Sequence, residues 1–282
     1  FFRRNKQILL FLIENKVLTL DQSIAERISG EKDYFDFFLP QLKPLIEVSL
    51  QEEEDSLQEA SLYFEQFGGD FVEKQNIGEN DSQICELIRK DSLDDFIVFV
   101  NQESVSLNST IKQSIYETNR FLVGKEPTLI EYSAFFGSIK IFNYLKLKEI
   151  QLTSSLWLFA IHGNNYEIIQ ILDESGIKPI NEDYNHCLKE ALKCHNYDVA
   201  NYILDNFLNE ETEFSIVQYI KYYNFRYLKE EFFNQSHFYD FCQYKYYSIV
   251  DFLLKNEKID VNRKTILNTK KILNTVFFII IF

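Results

Sequence analysis

The chain has 282 residues, of which 46% are hydrophobic, with only 8 Gly and 4 Pro and a net charge of −14. This hydrophobic content supports a sizeable core and excludes a disordered chain, and so few turn residues exclude sandwiches, barrels and glycine-loop nucleotide folds. The acidic surface repels phosphate backbones, so we expect no nucleic acid binding. Helices with short connections remain, and the predicted fold class is all-α.

The cysteines and the chain ends indicate in which cellular compartment the protein is expected. The four cysteines lie within helical patterns of a large chain, which is typical of free thiols in a reducing compartment. Because no secretory signal is visible, we expect an intracellular, cytoplasmic protein. The absence of Met and the start at Phe1 favour either a fragment or an incomplete reading frame. Residues 269–282 are predicted to be a truncated or misread apolar tail, with a clipped membrane anchor as the alternative. The seven apolar residues 276–282 are fewer than the about 20 that a membrane span requires.

Helix signals begin near the N-terminus. Asp21 suits the N-cap of a helix that follows it, and Gly30 suits that helix's C-terminal cap. Asp33 is predicted to cap a second helix, which Pro40 interrupts.

Further along, the acidic run 52–55 is predicted to begin another helix, because carboxylates favour the positive end of the helix dipole. Residues 68–80 contain three glycines and are predicted to form the longest loop, a candidate hinge. Residues 1–80 together are interpreted as an N-terminal helical region, followed by a helical segment over 81–124 with a degenerate repeat around 84–99.

From residue 128 a pattern repeats, so that residues 125–268 are predicted to be repeats. Each copy has a polar start, a helix of about ten residues, a tight turn, and a second helix with two adjacent apolar residues. A degenerate unit is expected around 216–220. The spacings between aligned positions of the first helices are 27, 31 and 50 residues, near a 33-residue helix-pair period except for the last. These aligned positions are Ser133, Ala160, Ala191 and Phe241.

Two segments resemble the signature of ankyrin repeats. Residues 128–138, TLIEYSAFFGS, resemble Thr-Pro-Leu-His-x-Ala-Ala-x-x-Gly-His, and residues 253–262, LLKNEKIDVN, are similar to the closing Leu-Leu-x-x-Gly-Ala-Asp-Val-Asn. Gly137 is predicted to take a left-handed turn between two helices. Asn164 and His195 occupy the equivalent position, and Asn and His tolerate positive φ well. The resemblance implies an ankyrin-type helix-pair solenoid.

The small and apolar positions agree with this interpretation. Ala134 and Ala160 would let two helices approach closely, and apolar pairs on the second helices would form the core between repeats. Pro is missing from every repeat start, and the first helices carry bulky residues such as Trp157 and Phe238, so we expect an irregular solenoid. The apolar pairs are Ile141/Phe142, Ile168/Ile169, Val199/Ala200 and Ile249/Val250.

A narrower resemblance is to a lineage-expanded ankyrin family of anaerobic protists, whose N-terminal part is a domain of unknown function. It is carried by the segments YFDFFLPQLKPLI, SIYETNRFL, LIEYSAFFGSIKIF and SSLWLFAIHG. It covers nearly the whole chain and implies no known activity.

Two adjacent His-Cys pairs are the only sequence pattern that suggests metal ligands. Adjacent residues diverge by about 100° on a helix, so His186-Cys187 and Cys194-His195 could not both converge on one ion. We therefore predict no metal and no cofactor. Instead, Cys187 is expected to cap a helix start and His195 to be a turn residue.

Aromatic residues allow two interpretations. Trp157 is predicted to pack in the core, with an exposed recognition anchor as the alternative. The tyrosine-rich stretch 219–247, with Arg226, is interpreted as half-buried helix faces or as interface anchors. The common nucleophile, phosphate-loop, metalloprotease and kinase motifs are missing, so we expect no catalytic residue and no enzyme.

The expected function is therefore a non-enzymatic protein–protein interaction module or scaffold. Solenoid repeats leave a long concave face for a protein partner, and the net charge favours a partner with a basic patch. The alternative is a truncated or degenerate gene-family copy with no retained function. The predicted contact residues on the first helices are Glu131, Phe135, Lys189, Lys193, Tyr239 and Gln243.

Overall fold

The computed structural model describes residues 5–49, 69–208, 216–256 and 259. These residues contain sixteen α-helices and no β-strand, with one isolated antiparallel bridge between Thr110 and Thr128. The prediction of an all-α chain is thus confirmed. The acidic run 52–55 and the apolar tail lie outside the described residues.

The chain divides into two compact units, Phe1–Leu152 and Thr153–Phe282. The first unit contains α1 Lys6–Glu14, α2 Gln22–Ser29, α3 Lys32–Phe37, α4 Leu39–Ser49, α5 Phe71–Ile77, α6 Gln83–Arg89, α7 Leu93–Gln102, α8 Leu129–Phe136 and α9 Ile139–Leu147. The second contains α10 Leu156–His162, α11 Tyr166–Glu174, α12 Tyr184–Lys193, α13 Tyr197–Phe207, α14 Ile216–Lys221, α15 Gln235–Gln243 and α16 Tyr247–Lys255. Three short 3-10 turns in the second unit are Ile180–Glu182, Phe225–Tyr227 and Glu230–Phe232.

The start of the chain follows the predicted capping only in part. The Asp21 side chain accepts a hydrogen bond from the Ile24 amide at 2.9 Å, which confirms it as the N-cap of α2. Gly30 does end that helix, with a φ of −70° that any residue can adopt. Asp33 does not cap α3, because the helix begins one residue earlier and Glu31 is its N-cap. Pro40 lies in the first turn of α4, where its missing N–H breaks no helical hydrogen bond.

The prediction of a long loop over residues 68–80 is wrong. Helix α5 occupies most of it and ends at Gly78, whose φ of 70° gives a left-handed cap. The buried Phe71 ring packs edge-on against Tyr116 at a centroid distance of 5.2 Å. Gln75 is fully buried and donates to the carbonyl of Phe37. These tertiary contacts override the local turn signal of the preceding glycines.

Five helix pairs, α6/α7, α8/α9, α10/α11, α12/α13 and α15/α16, are joined by the same turn. In each, one residue has positive φ, and the next residue donates its N–H to the carbonyl five positions earlier, as in Ser138 to Ser133 at 2.9 Å. This is the left-handed Schellman ending of a helix. The same ending also occurs after α1, α7, α9 and α11. Among the first helices it also follows α14. The turn residues are Asp91, Gly137, Asn164, His195, Tyr223 and Lys245. The left-handed conformation predicted at Gly137, Asn164 and His195 is thus confirmed.

A side-chain hydrogen bond joins successive helix pairs at one register position. The side chain of the residue after each turn is the donor. Its acceptor is the carbonyl that lies three residues before the turn residue of the previous first helix. In the second unit, Asn196 donates to Ile161 at 3.3 Å and Asn224 to Leu192 at 2.9 Å. The other two bonds run from Ser138 to Ile88 in the first unit and from Tyr246 to Ile220 in the second. Each of these cross-pair bonds satisfies a carbonyl near the end of a first helix.

The predicted core positions are buried. Ala134 and Ala160 are fully buried, and so are three of the four apolar pairs of the second helices; the fourth has Val250 buried and Ile249 half-buried. Trp157 is also fully buried, and its ring N–H donates to the Ile177 carbonyl at 2.7 Å. The core interpretation of Trp157 is confirmed, and the alternative of an exposed anchor is wrong.

Candidate functional site

The six predicted contact residues share two register positions on the first helices. Each lies six or two residues before the turn residue of its pair, so the two positions on one helix are four residues apart and share a face. In the second unit, α10 packs on α12, α12 on α14, and α14 on α15. The same register therefore adds four residues that the sequence analysis missed. We call the resulting set the first-helix surface: Leu158, His162, Lys189, Lys193, Val217, Lys221, Tyr239 and Gln243.

The first-helix surface is partly exposed to solvent. Lys193, Lys221 and Gln243 are exposed, and the other five residues are half-buried. Lys193 donates to Glu190 at 2.8 Å, while Lys221 forms no ion pair within the described residues. The structure thus brings Lys189 together with Lys193, and Tyr239 with Gln243, as the spacing predicted.

The two predicted contacts in the first unit have other roles. Phe135 is buried, with 7% of its surface exposed, because the Phe121 ring stacks on it at 5.8 Å with an interplanar angle of 5°. The prediction of Phe135 as an available contact is therefore wrong. Glu131 is half-buried, and its carboxylate accepts from the Thr128 amide at 2.9 Å while Thr128 caps the helix in return. This capping box uses Glu131 to fix the start of α8.

A polar network ties α10 to α12 beside the first-helix surface. The Nε2 atom of His162 is 3.0 Å from the Glu190 carboxylate, and its Nδ1 atom is 3.3 Å from the Sγ of Cys194. The hydrogen bond with His162, supported by Lys193, lowers the pKa of Glu190 to about 2. Burial, with the Glu190 charge as a smaller cause, raises the pKa of the Cys194 thiol to about 11.

These pKa values decide what the network can do. The order thiol, imidazole, carboxylate is that of a nucleophilic triad, but a thiol with a pKa of about 11 is protonated at neutral pH and is a poor nucleophile. The protonated Cys194 can donate to Nδ1 of His162 while Nε2–H donates to Glu190. The two ring nitrogens point in opposite directions, so the three groups cannot converge on one ion. The arrangement serves as a link between helices.

The predicted role of Cys187 is also corrected. Asp183 is the N-cap of α12, accepting from the His186 amide at 2.9 Å, and Cys187 is buried within the helix. Within residues 5–49, 69–208 and 216–256, no group of three or more His, Cys, Asp or Glu side chains could hold a metal ion.

A second buried polar group lies in the first unit. Glu117 lines a cavity of about 100 Å³ together with Lys6, Asn80 and Tyr132. One Glu117 oxygen accepts from the Asn119 amide at 2.7 Å, whereas Oε2 has no hydrogen-bond partner within 3.5 Å. Burial raises the pKa of Glu117 and lowers that of Lys6.

No family model, curated protein or solved structure matches this chain. In the described part of the chain, no helix combines the length and apolar character needed to cross a membrane.

Proposed function

We propose that this chain is a non-enzymatic protein–protein interaction module, in which successive helix pairs act as irregular ankyrin-type repeats. The single observation that carries the proposal is the recurrence of one turn and one cross-pair hydrogen bond at fixed register positions. Repeated pairs that contact their neighbours at the same register positions favour a solenoid, and solenoids present extended surfaces to partners.

The first-helix surface of the second unit is the proposed binding surface. Its side chains stand on helices that are already packed, so binding would cost little ordering of the backbone. The second helices α11 and α13 have their apolar pairs buried and so have less to offer a partner. Affinity would then depend on a few anchors, with Tyr239 as the aromatic one and Lys189 and Lys193 as charged ones.

The proposed partner is another protein. The net charge of −14 favours a basic patch on that partner, but the first-helix surface itself carries Lys189, Lys193 and Lys221 and no carboxylate at its register positions. The local charge thus favours carboxylates on the segment that docks there. We propose no cofactor and no catalytic residue for this module.

The test is capture of partners by the full reading frame in its own cells. One variant combines Lys189→Ala, Tyr239→Ala and Gln243→Ala on the first helices. The matched control combines Gln170→Ala and Asn201→Ala on the second helices. Circular dichroism confirms that both remain folded before quantitative proximity labelling.

We expect the first-helix variant to lose captured proteins that the control retains. Each strong anchor lost costs about 2 kcal/mol, or roughly thirtyfold in affinity. If the control loses the partners while the first-helix variant keeps them, the surface is wrongly assigned. If the unmodified chain captures nothing above the empty tag, the alternative of a degenerate copy without retained function is favoured.

A further inference from the structure

Three aromatic rings form an exposed patch in the second unit. The ring centroids lie 6.4 Å apart for Tyr223 and Phe225, 5.5 Å for Tyr223 and Tyr246, and 5.2 Å for Phe225 and Tyr246. Tyr223 is 62% exposed and Phe225 is 45% exposed. We call these three rings the aromatic patch. Clustered exposed aromatic side chains are typical of surfaces that bind another molecule.

Buried contacts hold the aromatic patch in place. Tyr223 is a turn residue with a φ of 60°, and Phe225 begins a 3-10 turn. Between them, the fully buried Asn224 donates to the Leu192 carbonyl at 2.9 Å. The Tyr246 hydroxyl donates to the Ile220 carbonyl. The rings are therefore preformed, and a ligand need not order them.

The charged residues within the two stretches that form the patch are all positive. Lys221 lies two residues before Tyr223, Arg226 follows Phe225, and Lys245 precedes Tyr246; all three cations are exposed. None of the three forms an ion pair within the part of the chain that the structure describes.

The two stretches that build the patch also lack carboxylates. Residues 216–229 and 241–250 contain no Asp or Glu, although the whole chain has a net charge of −14. The Arg226 guanidinium lies 4.4 Å from the centroid of the Tyr197 ring, so it lies over an aromatic face and leaves its donors available. Positive charge and exposed rings are thus concentrated together in an acidic molecule.

We infer that the aromatic patch and its three cations bind an acidic peptide segment of a partner protein, with an aromatic side chain of that segment packed on the rings. Carboxylates of the segment would pair with Arg226 and Lys245, and the aromatic anchor would cover Tyr223 and Phe225. Nucleic acid fits less well, since a long polyanion extends beyond the patch and meets the acidic remainder of the surface. This inference rests on the proposed function only in taking a protein as the partner.

The experiment uses the purified full chain and fluorescence anisotropy. The probe is a fluorescein-labelled dodecapeptide in which pairs of glutamates alternate with single phenylalanines. Comparison probes replace the phenylalanines with serine, replace the glutamates with lysine, or are a twelve-nucleotide oligothymidine.

Two double variants address the two halves of the proposal. Arg226→Glu with Lys245→Glu reverses the charge, and Tyr223→Asn with Phe225→Ser removes the exposed rings, asparagine being tolerant of the positive φ at 223. Lys90→Glu with Lys178→Glu is the control, because it changes the net charge by the same amount on exposed lysines outside the patch.

We expect the acidic phenylalanine peptide to bind, and each patch variant to weaken it at least about tenfold, against less than about twofold for the control. Raising the salt concentration should weaken binding as well. The inference is overturned if the probe does not bind, if the patch variants bind it like the control, or if serine peptide or oligothymidine binds as tightly.

The combined Lys189→Ala, Tyr239→Ala and Gln243→Ala variant separates the two proposals. This variant should bind the acidic phenylalanine peptide as tightly as the unmodified chain does. If it loses the peptide while the patch variants retain it, the acidic segment docks on the first-helix surface, and the patch inference fails while the proposed function stands.

Discussion

The register position two residues before the turn is buried at Phe135 in the first unit and exposed at Lys193 and Gln243 in the second. In the first unit, Phe135 is stacked under Phe121, and Glu131 is bonded within the capping box of its own helix. In the second unit, Lys193 and Gln243 are exposed at the position equivalent to Phe135. A repeat pattern thus fixes where a side chain points relative to its turn, but it does not decide whether another segment covers it.

The covering segment explains the difference. In the first unit, residues 103–128 connect α7 to α8, and this connection of 26 residues supplies Phe121. In the second unit, only a short 3-10 turn and its flanking residues connect α11 to α12. A longer connection has room to fold over a first helix, so that a repeat position in the first unit becomes part of the core.

The largest expected effect is the difference in stability between alanine variants of Phe135 and Tyr239. Phe135→Ala removes a buried aromatic ring and should lower the free energy of unfolding by about 3–5 kcal/mol. Tyr239→Ala affects a half-buried residue and should cost within about 1 kcal/mol. Thermal melts followed by circular dichroism measure both. Equal losses would show that the two positions do not differ in burial.

A second prediction tests whether the turn is under the same constraint throughout. Gly137 has a φ of 68°, a region that β-branched residues resist, so Gly137→Val should destabilise the chain by about 2 kcal/mol. Gly137→Asn should cost clearly less, since asparagine already occupies the equivalent position 164 with a φ of 56°. An unchanged melting temperature in Gly137→Val would contradict the turn geometry.

The cross-pair hydrogen bond gives a third prediction. Asn224→Ala leaves the Leu192 carbonyl without that donor and should cost about 1–1.5 kcal/mol. Asn206→Ala is the control, because Asn206 is exposed and bonds only within its own helix. The fluorescence of Trp157, the one tryptophan and a residue of the second unit, reports urea unfolding there. Equal urea midpoints for the two variants would show that this hydrogen bond does not stabilise the packing between helix pairs.

The smallest effects concern two carboxylates, the half-buried Glu190 and the buried Glu117, whose pKa values shift in opposite directions. The pKa of Glu190 is lowered to about 2 in the folded chain, so its contribution to stability is present above the unfolded value near 4.3 and is lost as the pH falls towards 2. Burial raises the pKa of Glu117, so its ionisation penalises folding once the pH rises above the unfolded value.

At pH 7, Glu190→Gln should therefore lower the stability and Glu117→Gln should raise it, each by about 1 kcal/mol or less. Circular dichroism during urea unfolding at pH 7 and pH 4 measures the difference. The Glu117 effect should shrink at the lower pH, where the unfolded carboxyl is itself largely protonated. Effects of the same sign at pH 7 would contradict the opposite environments of the two groups.

Sequence signals were sufficient where local conformation alone decides. Gly137, Asn164 and His195 were predicted as left-handed turns because their residue types favour positive φ, whereas Tyr223 and Lys245 adopt it with no such signal. The register of each first helix also followed from apolar spacing.

The remaining features depend on contacts between segments distant in the sequence. Phe121 covers Phe135 from a connection without periodicity, and α5 forms because Phe71 meets Tyr116. His162 contacts Cys194, which lies 32 residues further along the chain. The repeat register could have pointed to His162, since it lies two residues before a turn residue, as Lys193 does.

Side-chain accessibility tests the central claim most directly. Single cysteines at Phe135→Cys, Lys193→Cys and Gln243→Cys would be labelled briefly with a maleimide at pH 7, followed by mass spectrometry of the digested chain. The native thiols give a low background, because burial raises the pKa of all four. We expect positions 193 and 243 to label rapidly and position 135 to be protected at least about tenfold relative to them. Labelling of position 135 as fast as position 243 would contradict the account.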